Sequence, residues 1–198
     1  KRCHGMMAKH WRTRVIGPNI GALRSLLWFR GRTGTDLGKN LPENRDDWID
    51  EFYDDWARQS FGPEATGDIA TIFAGLDKAG ESAPGAIPRP VGWDGVDVSG
   101  PGAIVANSKS WETESMKYAF VDKLAALRPR IKGEGNLERF DYWLHTFRSL
   151  RIMGEIGCLR GQLEKAIDRE KFSKALRVRI RMARLWERLM SLHVQRVT

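Results

Sequence analysis

Sulfur chemistry has almost nothing to work with in this chain. Of 198 residues only two are cysteine, Cys3 and Cys158, with neither the spacing of a zinc site nor the number of a disulfide framework. A bridge between them is open on sequence grounds, and isolated thiols packed as small apolar groups are the ordinary alternative. The four histidines, His4, His10, His145 and His193, include no H-x-x-x-H or H-E-x-x-H pair, so no metal is expected. No apolar run approaches the ~20 residues that cross a bilayer as a helix. A glycine-rich phosphate loop is also missing, and Ser108 and Ser110 stand outside any nucleophile-elbow context. These absences set aside metal chemistry, nucleotide cofactors and membrane spanning.

Aromatic and basic residues are what the chain has in supply. It carries eight tryptophans, 41% hydrophobic residues and a formal charge of +8. The length suits one large domain or two small ones. The charge is unevenly placed: from Arg151 to Thr198 there are 12 Lys and Arg against 5 Asp and Glu, so the last helices hold nearly all the excess. A basic helical face binds a polyanion or is simply solvated. Nucleic acid is the less favoured partner, because the tryptophans fall on apolar faces and no docking motif is present.

Several helices can be placed by pattern. Pro18 suits a first helical turn, with Ile20, Leu23 and Leu27 recurring behind it. After a polar loop from Gly31 to Asn44, Asp46 or Asp47 is placed to cap a helix. Its residues Trp48, Phe52 and Trp56 recur every fourth position, and Ile49 and Tyr53 widen the buried stripe. "FGPEA" ends that helix and starts another carrying Ile69, Ile72, Phe73 and Leu76. Phe120, Leu124 and Leu127 mark a further helix, closed by Arg128-Pro129. Asn136 is placed to cap a long helix running to about Ile167, with Phe140, Leu144, Phe147 and Leu150 inward. Gly154, Gly157 and Gly161 thin that helix for a close neighbour or a kink. From Phe172 onward, apolar residues cover more than half the helical circumference and Arg177, Arg181, Arg184 and Arg188 share one narrow stripe. The expectation is a helix deep in a bundle, showing only its arginine edge, with Arg179 inside the apolar arc and needing a buried acid.

Two segments lack helical period. Residues 78 to 109 are rich in Gly and Pro, yet Ile87, Val91, Trp93, Val96, Val98, Ile104 and Val105 favour an ordered loop pinned to a surface. Asp94 and Asp97 lie within it. Residues 4 to 10 form a short apolar run, readable as one buried strand, that ends in His10, Trp11, Arg12 and Arg14. Indole faces stack on sugar C–H faces, and His and Arg donate to hydroxyls or carboxylates, so this cluster is a candidate sugar subsite.

A strand ending in tryptophan, followed by a helix ending "ALRSLLW", resembles the last β/α unit of TIM-barrel glycoside hydrolases of the agarase, α-glucuronidase and β-N-acetylhexosaminidase kind. "FYDDWARQSFGPEA" is similar to the segment after the barrel in such enzymes, and "NLERFDYWLHTFRSLRIMGEIG" and "RLWERLMSLHVQRVT" to the helical domain beyond it. The resemblance implies a mainly α fold: the final β/α unit of a (β/α)₈ barrel followed by a helical bundle, with a long ordered Gly/Pro-rich loop. The implied divisions are residues 1–30, the barrel unit; 31–77, helices packing on the barrel; 78–109, the loop; and 110–198, the bundle. It implies catalytic carboxylates on earlier strands, before Lys1. What remains here is substrate binding by His10, Trp11, Arg12 and Arg14, with Trp93 and Asp94 if the loop folds over the barrel mouth.

The expectation is therefore a fragment of a glycoside hydrolase that binds an oligosaccharide or polysaccharide, is inactive alone and needs no cofactor or metal. The chain opens on Lys1 without a signal segment, and its last helix stops without a cap, which reads as a piece cut from a longer protein and leaves compartment open. The alternative is a helical interaction module presenting its basic face to an acidic partner or nucleic acid.

Overall fold

A computed structural model describes residues 45–79 and 104–197. Every regular element among them is helical: α1 (Arg45–Phe61), α2 (Thr66–Lys78), α3 (Trp111–Ser115), α4 (Ala119–Leu127), α5 (Glu134–Asp168) and α6 (Phe172–Val197). Short 3₁₀ turns at Pro63–Ala65, Met116–Tyr118 and Arg128–Arg130 join neighbours.

These elements correct the expected architecture. No strand occurs among the described residues, so the β/α barrel unit is unsupported. The apolar run at residues 4–10 lies outside the described residues. The reason for the correction is visible in the packing. Helices α1 and α2, expected to lie on a barrel, pack on each other and on α4 and α5 instead. Their apolar faces close a helical core without a sheet.

That core is aromatic. Ile49, Tyr53, Ala57 and Phe61 recur every fourth residue along α1 and are buried, with Trp48, Phe52 and Trp56 flanking them. Trp48 and Phe52 stack at 5.6 Å, and Trp56 meets Trp143 edge-on at 6.0 Å. Phe73 of α2 lies 5.2 Å from Trp143 and 5.5 Å from Phe147. Each such pair adds about 0.5–1.5 kcal/mol beyond the area it buries. Asp46 and Asp47 sit in the first turn of α1 rather than before it, where the helix dipole favours carboxylates. Gly62, at φ 87°, turns the chain into Pro63 at the next first turn.

The long helix α5 belongs to two cores. Phe140, Leu144 and Phe147 face the aromatic core, whereas Ile152, Ile156 and Leu159 face α6. At about 100° per residue the buried stripe rotates by roughly a third of a turn between the two halves. The second core is aliphatic and joins Ile104, Ile152, Ile156, Leu159, Val178 and Leu185. α5 starts at Glu134 behind Gly133, at φ 85°, and Asn136 is not the cap: its Nδ2 donates to Lys132 O at 2.9 Å. The α5–α6 turn closes on Glu170, at φ 55°. Glu170 N donates to Ile167 O at 2.9 Å and Lys171 N to Ala166 O at 2.8 Å, the paired bonds of a Schellman ending.

Gly154, Gly157 and Gly161 share a third face of α5. The extended segment 104–108, rather than a helix, lies on Gly157 and Gly161, with Asn107 N donating to Gly157 O at 2.9 Å. Arg160 Nη1 donates to Ile104 O at 2.8 Å, and Lys165 Nζ to Ser108 O at 3.0 Å. Tyr118 fills the space above Gly154. Ile104 is thus pinned into the second core while Val105 stays exposed. Cys158 is free and buried. No buried side-chain polar atom among the described residues lacks a hydrogen bond.

Candidate interaction surface

α6 carries three faces. At about 100° per residue, Ala175, Val178 and Leu185 form an arc that is buried, chiefly against α5. Arg177, Arg181, Arg184 and Arg188 form the basic edge on one side of it. A second apolar row, Phe172, Leu176, Ile180 and Met190, points to solvent, with exposures of 67%, 60%, 46% and 49%. The expectation of a deeply buried helix is corrected here. α6 packs chiefly along α5, and a single neighbour covers only about a third of a helix circumference. The apolar arc read from sequence is two arcs, one buried and one open. Arg179 lies at their border, exposed and, among the described residues, in no ion pair, so no buried acid is required.

Of the stripe, Arg181 alone is paired among the described residues: its Nη2 donates to Glu155 Oε1 at 2.5 Å. Among the described residues no ion pair holds Arg177, Arg184 or Arg188. Like charges one turn apart on a helix cost a few tenths of a kcal/mol per pair. α6 bears that cost with a single acid, Glu187, among its described side chains.

The basic edge runs into a cleft of about 720 Å³ between the α3–α4 segment, α5 and α6. Trp111 and Tyr118, with ring centres 5.6 Å apart, form one wall. Arg148, Arg151 and Arg188 converge on it, as do Asp122 and Glu155. Both acids are already engaged: Arg151 Nη1 donates to Asp122 Oδ1 at 2.8 Å, and Glu155 holds Arg181. Among the described residues no carboxylate pairs with Arg148 or Arg188, so the described lining is net basic. Burial, reinforced by the neighbouring Arg148 guanidinium, lowers the His145 imidazole, which does not line the cleft, below its usual range.

Glu114 stands beside this cleft as a buried carboxylate. Its burial acts to raise the carboxyl pKa, and Lys117 at 3.0 Å with Lys109 at 3.4 Å outweighs that, leaving it below the usual range. This triad fixes the entry of segment 104–110 into α3 and is structural. Ser110 caps α3, its Oγ accepting from Thr113 N at 3.3 Å.

The six residues proposed from sequence, His10, Trp11, Arg12, Arg14, Trp93 and Asp94, lie outside the described residues. Sequence reasoning missed the open apolar row on α6 and the cleft beside it. The usable signal was the width of the apolar arc, too broad for one packed neighbour to cover. Among the described residues no group of three or more His, Cys, Asp or Glu could hold a metal ion, and no helix is long and apolar enough to cross a membrane.

No family model matches the chain, and no curated protein or solved structure is detectably similar to it. The resemblance to TIM-barrel glycoside hydrolases is thereby corrected: no matching family carries it, and no barrel strand occurs among the described residues.

Proposed function

We propose that this chain is a helical interaction module that binds an acidic protein partner along the arginine edge of α6 and the adjoining cleft. The observation that carries the reading is the exposure of Arg177, Arg184 and Arg188 on one stripe with no carboxylate pairing them among the described residues. Arginine forks pair bidentately with carboxylates, and unpaired surface forks of one sign steer an oppositely charged partner. Nucleic acid is disfavoured: of the described tryptophans, Trp48, Trp56 and Trp143 pack on the aromatic core and Trp186 on the aliphatic one, and Trp111 lines the cleft while half-buried against the aromatic core, so none stands on the arginine stripe itself.

The test is fluorescence anisotropy of labelled polyglutamate with the 198-residue chain, wild type against R177E/R184E/R188E. Binding should weaken steeply between ~0.05 and ~0.3 M salt, as the screening length shortens, and the triple reversal should abolish it. Salt-insensitive binding, equal binding by the variant, or tighter binding of duplex DNA than of polyglutamate would each refute the reading.

A second reading rests on a separate observation, the imidazole, indole and two guanidinium groups that fall within five residues at His10, Trp11, Arg12 and Arg14. Such a cluster supports oligosaccharide binding independently of any barrel. Isothermal calorimetry with neutral and uronic oligosaccharides, wild type against Trp11→Ala, decides it. No heat, or heat unchanged by the substitution, removes it.

A further inference from the structure

We infer that the partner of α6 is an amphipathic helix with an apolar seam flanked by carboxylates, docking along the open row Phe172, Leu176, Ile180 and Met190. The inference rests on the acidic-partner reading above and adds a shape to it.

The row has the geometry of a helix-docking face. At about 100° per residue its four members fall within roughly 80°, and from Phe172 to Met190 they extend over ~27 Å. Phe172, Leu176 and Ile180 keep the i, i+4 spacing by which a groove or seam reads a partner helix, and Met190 returns to the same face beyond Glu187. Phe172, Leu176 and Ile180 are exposed in succession on one face, and exposed apolar residues so grouped and rimmed by charge mark an interaction site rather than ordinary surface.

The flanks decide who the occupant is. Arg177 and Arg184 border the row on one side and Arg179 on the other, all exposed. A second copy of α6 laid on the row would set arginine against arginine along both borders, since Glu187 is its one acid among described side chains. Like charges across a helical seam disfavour pairing. A helix with glutamates at both borders satisfies the same three guanidinium groups while its apolar seam covers the row. Glu187 falls inside the row, one turn before Met190. It requires a Lys or Arg opposite it, which fixes the partner's register as a lone polar seam position does.

The probe is a synthetic peptide of about three heptads with leucine at the seam, glutamate on both borders and one seam lysine. Its control has the same composition, scrambled so that no apolar seam remains. Both are titrated by anisotropy against the full chain, and its L176D/I180D and R177E/R184E/R188E variants. Leu176 and Ile180 are exposed, so the double variant should melt within a few degrees of wild type. The expected result is seam-peptide binding at least about tenfold tighter than the scramble, with L176D/I180D erasing the difference, the scale set by burying two aliphatic side chains. If both peptides bind equally and only the arginine reversal weakens them, the seam is refuted and the arginine-edge reading survives. If neither binds, both readings fall. If the chain alone sediments as a dimer that L176D/I180D dissociates, the occupant is a second copy and the acidic helix is refuted.

Discussion

Replacing Gly161 with alanine adds one methyl group to the face of α5 that carries segment 104–108. The new Cβ would fall inside the contact distance of Asn107 O and 2.8 Å from Asn107 C. Those atoms are backbone, so no side-chain rotation relieves the clash and the segment must lift. Lifting it costs the Asn107 N to Gly157 O bond and the Arg160 bond to Ile104 O, each worth about 0.5–1.5 kcal/mol net. It also withdraws Ile104 from the second core, a loss of up to ~2 kcal/mol. The intrinsic preference of alanine for helix returns about 1 kcal/mol. The net expectation is a destabilisation of roughly 2–3 kcal/mol, or a melting temperature lower by about 5–10 °C for a chain of this size. Gly75→Ala is the matched control, because a Cβ there meets nothing within 4 Å; it should be neutral or stabilising by up to ~1 kcal/mol. Urea unfolding followed by far-ultraviolet circular dichroism measures both. A Gly161→Ala protein as stable as Gly75→Ala would mean that segment 104–108 does not rest on the glycine face.

Three further expectations follow from local geometry. Glu114→Gln should cost about 1–2 kcal/mol at neutral pH by breaking the pairing with Lys109 and Lys117. Because that carboxyl is depressed below its ordinary value of 4.5, its contribution is present above that value and disappears as pH falls through the folded one. Thermal melts from pH 7 to pH ~3 should therefore show the wild type converging on the variant, and a constant gap would refute the pairing. Glu170→Gly should stabilise by up to ~1 kcal/mol, since φ 55° favours glycine at that helix ending; loss of stability in urea would contradict the turn geometry. In a Cys3→Ser background the Cys158 thiol, pushed up by burial and then by the Glu114 and Glu155 carboxylates, should react with a disulfide reagent only as the chain unfolds. Rapid labelling of the folded protein would show the site to be open.

The aromatic core was legible in the sequence because α1 repeats its large residues every fourth position and every repeat finds a partner ring. The same periodicity marks α2 and α4 by their inward residues, ends α4 at Arg128-Pro129 and starts α6 at Phe172. It failed where one stripe serves two purposes. On α6 the apolar arc reads as a single buried surface, since width alone does not distinguish a helix with two neighbours from one with a neighbour and a free face. On that reading Arg179 calls for a buried acid, which its exposed position does not require. The glycines of α5 announced a close approach without naming what approaches, and a chain segment with its own backbone hydrogen bonds took the place expected for a helix. The barrel unit rested on a seven-residue apolar run and on local phrases, and a run that short does not separate strand from helix. The sugar-site residues fall at positions 10–14 and 93–94, outside the described residues, so their assignment still rests on the chemistry of their side chains.

A single uninterrupted rod passes through both cores, and this joins their fates. Among the described residues, the central turns of α5, near Arg151 and Gly154, are the one stretch of a single helix that joins the ring-filled end to the aliphatic end. Extending an existing helix is far easier than starting one. The half of α5 that receives α6 therefore inherits its conformation from the half that the aromatic rings hold, and amide protons at that midpoint should be among the last in the molecule to exchange with solvent.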